Sequence, residues 1–325
     1  MRRCILGLAT AVVAIAGAAG CGSSSDGTSG SSSSGGGKTT EVKVGIVPIV
    51  DVAPLYLGQR KGFFSSRGID LKMVSAQGGA AIVPGVVSGQ FQFGFSNPTS
   101  LMIAQTKGIA VKSVINACTT TGNTTTDVTG VMVAKDSPVK SAKELAGHSV
   151  AVNTLQNIGD TVVREAVRKD GGDPTKVKFV EIPFEQMPAA LAAGQVDAAW
   201  MGEPAQTIAR AQGARSVTAP FAETDPKLTL ATYFTSARLA QQDPDLVKRF
   251  KEAVGESLAY ASAHQDEARQ AATAYTKIDA PTLKKLTLPL WPSETNLPSL
   301  EKLASLGEQD GLFGDKKPDL KSLFQ

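Results

Sequence analysis

The stretch "AALAAGQVDAAWMGEPAQTIARAQG", Ala189–Gly213, decides the fold. A run of small apolar residues closes on "AGQ", the short apolar segment "VDAAW" follows at once, and "GEP" then breaks the chain before a new run begins. Glycine ends helices and proline opens them, so the order reads helix, buried strand, turn, helix. A second stretch, "GVVSGQFQFGFSNPTSLMIAQTKG" from Gly85 to Gly108, follows the same plan, with "SGQ", "FQFGF" and "SNP" at the matching places. Gly89 and Pro98 are nine residues apart, Gly194 and Pro204 ten. The spacing predicts one α/β lobe built twice. In parallel sheets the loops after the strands line the ligand crevice, and helix N-termini aim backbone N–H groups into it. Two lobes facing each other would therefore present Ser96, Asn97 and Thr99 from one side and Gly202 and Glu203 from the other.

Working outward, "VKVGIVP" (Val42–Pro48) and "IDLKMVSA" (Ile69–Ala76) read as strands flanking the helix "APLYLGQRKGFF". "VKSVINAC" (Val111–Cys118) and "TGVMVAK" (Thr129–Lys135) are further strands, and "SAKE" (Ser141–Glu144) is a capping box opening a short helix. A second β/α series follows, with strands at Val150–Val152, Val177–Ile182, Val196–Trp200 and Ser216–Ala219. "TLATYFTS" (Thr229–Ser236) is one more strand. The rest is largely helical, and "DPDLVKRFKEAVGESLAYASAH" carries Leu246, Phe250, Val254 and Leu258 along one face. Strands alternating with helices over short connections mean an α/β fold with mostly parallel sheets.

The 325 residues are 42% hydrophobic and 19% charged, enough for one large core or two smaller ones. The formal charge is +3, to which Arg2 and Arg3 contribute two, and no basic tract in the body points to nucleic acid. "MRR" followed by "CILGLATAVVAIAGAA" has the charge and length of a signal peptide, residues 1–20. It ends in "AAGC", which resembles a bacterial lipobox with Ala18 where leucine is usual, and which would make Cys21 the lipidated first residue of the mature chain. An ordinary secretory signal cut nearby and an uncleaved anchor are the alternatives. Residues 21–40, dominated by Gly and Ser, read as a flexible tether. Cys118 is then alone in the mature body and reads as a buried structural cysteine, with no partner for an intrachain disulfide. No later segment is apolar over a membrane-spanning length.

Taken in order, these elements resemble the substrate-binding lipoproteins of ABC importers, in the nitrate/sulfonate/taurine class that also includes binders of a thiamine pyrimidine precursor. The resemblance is carried by "APLYLGQRKGFFSSRGIDLKMV", by the paired "VSGQFQFGFSNP" and "AALAAGQVDAAWMGEP", by "GVMVAKDSPVKSAKELAGHSVAV" and by "DPDLVKRFKEAV". It implies a two-lobed periplasmic-binding-protein-like α/β fold of type II. Two crossover strands, near Thr129–Ala134 and Leu230–Ser236, would join lobe 1 (41–130 plus 232–325) to lobe 2 (131–231). It further implies a monomer that closes on a small-molecule solute and delivers it to a permease and its ATPase. The chain would sit lipid-anchored on the extracytoplasmic face of the cell membrane, with no cofactor, metal or catalytic residue.

The candidate ligand contacts are Asp51, Ser96, Asn97, Thr99, Thr154, Asn157, Glu203 and Tyr233. Glu203 follows "AAW", where an acid is hard to explain as core filler, although Glu also favours helix N-termini. Asp51 lies in the first β–α loop, where the resemblance places ligand contacts. Ser96, Asn97 and Thr99 could donate to an anionic group or cap their helix. Thr154 and Asn157 belong to the loop "NTLQNIGD", which opens a helix at the cleft. Tyr233 could wall the cleft or pack in the core, while Trp200 and Trp291 read as core. The candidate loops contain carboxylates but no Arg or Lys. That favours a ligand with an N–H donor, such as an aminosulfonate or aminopyrimidine, over a bare anion. Aliphatic or aromatic sulfonates and carboxylates stay open. Related folds carry enzymes, but His148 and His264 read as surface residues, and no HExxH, paired CxxC or G-x-S-x-G is present. A binding protein is the expected class.

Overall fold

The computed structural model describes residues 39–276 and 278–325. The signal peptide, Cys21 and nearly all of the tether fall outside the described residues. Among the described residues ten strands run in chain order as β1 Thr40–Ile46, β2 Ile69–Ser75, β3 Phe93–Ser96, β4 Val111–Thr119, β5 Thr129–Val133, β6 Ser149–Val152, β7 Lys178–Glu181, β8 Ala198–Gly202, β9 Arg215–Thr218 and β10 Thr229–Ser236. The helices between them are α1 Ala53–Lys61, α2 Gly79–Ser88, α3 Pro98–Thr106, α4 Ile158–Lys169, α5 Met187–Ala192, α6 Ala205–Ala211 and α7 Pro220–Thr224. The tail adds α8 Ala237–Gln242, α9 Pro244–Ala263, α10 Gln265–Ala271, α11 Ala280–Lys285, α12 Leu297–Gln309 and α13 Leu320–Phe324.

Two five-stranded sheets result, ordered β2-β1-β3-β10-β4 and β7-β6-β8-β5-β9. They share one plan. The strands of the two opening stretches, β3 and β8, hold the same central place, parallel to β1 or β6 on one side and antiparallel to β10 or β5 on the other. The antiparallel strand is in each case the one that arrives from the other sheet: β5 follows β4, and β10 follows β9. The links that cross between the sheets are therefore residues 120–128 and 219–228, and the segments expected as crossover strands are the first strands laid down after each crossing. The two links are tied by the Thr120 N–H to the Leu228 carbonyl at 3.0 Å. This is the type II periplasmic-binding-protein arrangement.

The repeated glycines do the same job. Gly89 and Gly194 end their helices with φ of 83° and 67°, the left-handed region where a side chain is strained. The prolines then restart the chain. Asn97 caps α3 by accepting from the Ser100 N–H at 2.9 Å, with Pro98 at the first helical position. The predicted face of α9 is buried as expected: Leu246, Phe250, Val254 and Leu258 all lie in the core. Phe250 stacks on Phe93 of β3, ring centroids 3.8 Å apart, and burying each ring contributes about 2–3 kcal/mol. This part of the tail thus packs against the first sheet. "SAKE" forms only a 3-10 turn, Ala142–Leu145; Ser141 makes no cap, and Glu144 reaches back to the Lys140 N–H instead. Among the described residues no helix is long and apolar enough to cross a membrane.

Candidate functional site

The C-terminal ends of β1, β3, β6 and β8 face one another across a cleft. Its outer part is a cavity of about 630 Å³ lined by Val47, Gln77, Phe184, Glu203, Tyr275 and others. Val47, Ile49, Phe184 and Gly202 are shared with a deeper, narrower chamber lined by Asp51, Phe95, Asn97, Thr129, Trp200 and Phe221, among others. Four aromatic rings therefore wall the deep chamber. Phe184 and Phe221 flank Trp200 at 5.5 and 5.4 Å, the latter edge-on. The N-termini of α2 and α4 reach it as Gly79 and Ile158. Gly79 approaches β3 so closely that a Cβ there would lie 2.9 Å from the Ser96 Cα.

The cleft is shut at its rim. The Gln77 and Asn153 side chains each bond the other's backbone carbonyl, Nε2 to O at 3.5 Å and Nδ2 to O at 3.3 Å. Ser100 Oγ lies 3.0 Å from Nδ2 and 3.2 Å from Oδ1 of Asn157. Both contacts join the first sheet's lobe to the second's, so the structure is a closed form.

Asp51 is buried at the base of the deep chamber, where its Oδ2 accepts from Cys118 Sγ at 3.1 Å. Burial raises its pKa to about 6, the thiol's hydrogen bond opposes the rise, and the charges of Asp127 and Glu203 add to it. Burial likewise pushes the Cys118 thiol well up. The sequence reading of Cys118 as a buried cysteine holds, and the structure adds that it touches a candidate ligand residue.

Glu203 is 1% exposed and faces the outer cavity. Its oxygens accept from the Thr207 N–H (3.1 Å), Thr207 Oγ1 (2.8 Å), Gln206 Nε2 (3.3 Å) and the Thr287 N–H (3.4 Å). Burial raises its pKa and these donors pull it back. The carboxylate thus caps α6 and ties it to the tail segment before α12. Asn97 lines the deep chamber. Ser96 and Thr99 are buried beside it and do not line it; Ser96 Oγ donates to the Asn97 carbonyl, and Thr99 Oγ1 has no partner. Thr154 stands at the rim, where a Cβ on Gly78 would come within 2.8 Å of its hydroxyl. Tyr233 is wholly buried in β10, edge-on to Phe95 at 5.7 Å, its hydroxyl unpartnered.

Three contributors escaped the sequence reading. Thr129, at the start of β5, faces the deep chamber. Gln77 closes the rim with Asn153. Trp200, read as core, is indeed 3% exposed, yet it forms a wall of the chamber and its indole N–H has no partner. An apolar residue on a central strand gives no sequence signal that tells a core position from a cavity wall. Among the described residues no group of His, Cys, Asp and Glu could hold a metal ion.

Comparison with known proteins agrees with this architecture. The family model described as NMT1/THI5 like matches residues 49–268. YtlA of Bacillus subtilis (strain 168), provisionally named a binding protein, is 22% identical over 218 residues, covering 66% of this chain and 64% of that one. The chain therefore aligns with a little under two thirds of that relative's length. The alkanesulfonate-binding protein SsuA from Xanthomonas axonopodis pv. citri, solved with MOPS, superimposes with a TM-score of 0.75 at 14% identity, covering 88% of this chain and 99% of that one. The periplasmic aliphatic sulphonate binding protein SsuA from Escherichia coli gives 0.70 at 17% identity, covering 87% and 97%. With its family model matched over most of the body and its fold that of extracytoplasmic solute-binding proteins, the chain belongs to the NMT1/THI5-like family.

Proposed function

We propose that this protein is the solute-binding component of an ABC importer and captures a small, flat solute bearing an N–H donor, of the aminopyrimidine kind. The observation that carries the reading is the charge of the cleft. Its described lining includes the carboxylates of Asp51, Glu185 and Glu203 and no Arg, Lys or His. Glu203 is already saturated by internal donors, which leaves Asp51 as the carboxylate of the deep chamber that can accept from a ligand. The rings of Phe95, Phe184, Trp200 and Phe221 offer flat apolar walls on which a heteroaromatic ring packs. The lobe built on β5–β9 closes on the lobe built on the other sheet about the two crossing links, and ligand favours the closed form because it touches both lobes. A lipid on Cys21 and the tether to residue 40 hold the receptor near its permease. Loss of membrane association in Cys21→Ala cells would support that part.

A second reading has its own support. The N-termini of α2 and α4 at the deep chamber suit an anionic group, so a taurine-like aminosulfonate could place its amine at Asp51 and its sulfonate near those N–H groups.

Thermal-shift and calorimetric titration with 4-aminopyrimidine, taurine, methanesulfonate and nitrate tests both. A ligand at a hundred times its Kd stabilises the folded state by about 2.7 kcal/mol, a shift of several degrees. Amine-bearing compounds should produce it, and Asp51→Asn should abolish it. Binding of methanesulfonate or nitrate in preference to both amines overturns the proposal.

A further inference from the structure

Two polar atoms in the wall of the deep chamber are buried without a partner, Trp200 Nε1 on β8 and Thr129 Oγ1 on β5. The strands are adjacent, with Thr129 opposite Gly202 and Val131 opposite Trp200 in the antiparallel register. The indole is fixed on several sides. Phe221 meets it edge-on and Phe184 tilts against it, while Gly159 lets α4 approach so closely that a Cβ there would lie 2.8 Å from its Cε3. A packed indole of this kind cannot rotate to find another partner. Its N–H is a donor only, so the group it lacks is an acceptor. Buried donors without partners are rare in folded proteins, and a cavity wall is where a ligand supplies what the protein does not. Across the chamber the other lobe presents Asp51, an acceptor when ionised, whose Oδ2 is held by Cys118. The first lobe therefore offers a carboxyl acceptor in the same chamber as the unpartnered indole N–H of the second.

We infer that Trp200 Nε1 and Thr129 Oγ1 form an acceptor-reading subsite on the second lobe, which orients the solute with its N–H end at Asp51 and a lone-pair acceptor at Trp200. The inference rests on the proposed amine-binding function and deepens it, because it adds a second requirement to the solute: a ring nitrogen or an equivalent acceptor facing away from the amine. It also makes closure selective. A compound satisfying one lobe alone leaves the other lobe's polar group buried and unpaired, which weakens binding to the closed form.

The test is a cycle of two ligands and three proteins. Isothermal titration calorimetry measures 4-aminopyrimidine and aniline, which share a flat ring and an exocyclic amine and differ in the ring acceptors. The proteins are the wild type, Trp200→Phe and Thr129→Val, each first checked for a cooperative melt; Thr129→Val is nearly isosteric and serves where Trp200→Phe does not fold. The wild type should prefer 4-aminopyrimidine by on the order of tenfold, as expected when a buried donor loses its acceptor. In Trp200→Phe the preference should shrink to about twofold or less, with Thr129→Val between the two. A preference that is absent in the wild type, or unchanged in both variants, overturns the subsite while leaving amine binding intact. If the wild type binds neither compound and Asp51→Asn changes nothing for taurine, the proposed function fails and the subsite fails with it.

Discussion

Cys118 donates its thiol hydrogen to Asp51 across 3.1 Å, beneath the floor of the interlobe chamber. The pair links the C-terminal end of the edge strand β4 to the turn after β1, and it bears on how the carboxyl titrates. In the folded chain Asp51 keeps its proton up to about pH 6, against 3.8 for its ordinary value. Between those values the folded state binds more protons than the unfolded one, so stability falls as pH rises through the window. Below 3.8 the two states are protonated alike and nothing is lost; above 6 the full cost applies, ~3 kcal/mol. Asp51→Asn should therefore raise the ligand-free melting temperature at pH 8 and leave it nearly unchanged near pH 3.5. A stability gain independent of pH would contradict this origin.

The same titration governs binding. The ammonium of taurine needs the ionised carboxylate, so affinity for taurine should rise between pH 5 and 7 and then level off. Calorimetry across that range checks it, and a flat profile would remove Asp51 from the contact. Cys118→Ala takes away the hydrogen bond that stabilises the carboxylate, and should move the midpoint of the profile to higher pH.

Ser100 and Asn157 join the lobes beside the deep chamber. Ser100→Ala removes this latch and leaves the Asn157 amide short of a partner at a cost of about 1 kcal/mol, felt in the closed form alone. Ligand affinity should fall roughly fivefold, with the apo protein shifted toward a larger radius of gyration in small-angle scattering. Unchanged scattering and affinity would mean that the contact does not hold the closed state.

Glu203 accepts from four protein donors, and a glutamine would turn one N–H toward those same donors. Glu203→Gln should destabilise the protein by about 2 kcal/mol at neutral pH, read by urea denaturation. Its effect on amine affinity should be smaller than that of Asp51→Asn. The reverse order would assign the ligand contact to Glu203.

Arg168 on α4 bonds Asp310 at 2.8 Å, just beyond α12, and Glu165 at 2.7 Å on its own helix. Asp310 is shielded, and burial raises its pKa against the pull of Arg168 and Arg164. Arg168→Met leaves the shielded Asp310 without its hydrogen-bonded cation and should lower stability by about 3 kcal/mol at pH 7. The loss should diminish at pH 4, as Asp310, whose pKa burial raises, takes up a proton. An equal loss at both pH values would point to packing rather than charge.

The fold was readable because it depends on local signals. Gly89 and Gly194 end helices, Pro98 and Pro204 restart the chain, and short apolar runs between them can only be central strands. The apolar face of α9 repeats at helical spacing, so its burial followed as well. The site was readable only in outline. Asp51 and Asn97 stand on the cavity wall because they follow strands, a position that the order of elements sets. Glu203 was conspicuous for the same reason, but whether its oxygens meet a ligand or the protein depended on Thr287, more than eighty residues away in the chain.

What the sequence determined by itself, then, is the two-lobe plan and the ring of strand-end loops, since backbone conformation and hydrophobic period are local properties. Tertiary structure alone decided which side chains face the chamber. Trp200 and Tyr233 are both large, buried and on central strands, yet one borders the cavity and the other does not. That outcome follows from how two sheets from different parts of the chain close on each other, and burial patterns along one strand do not encode it.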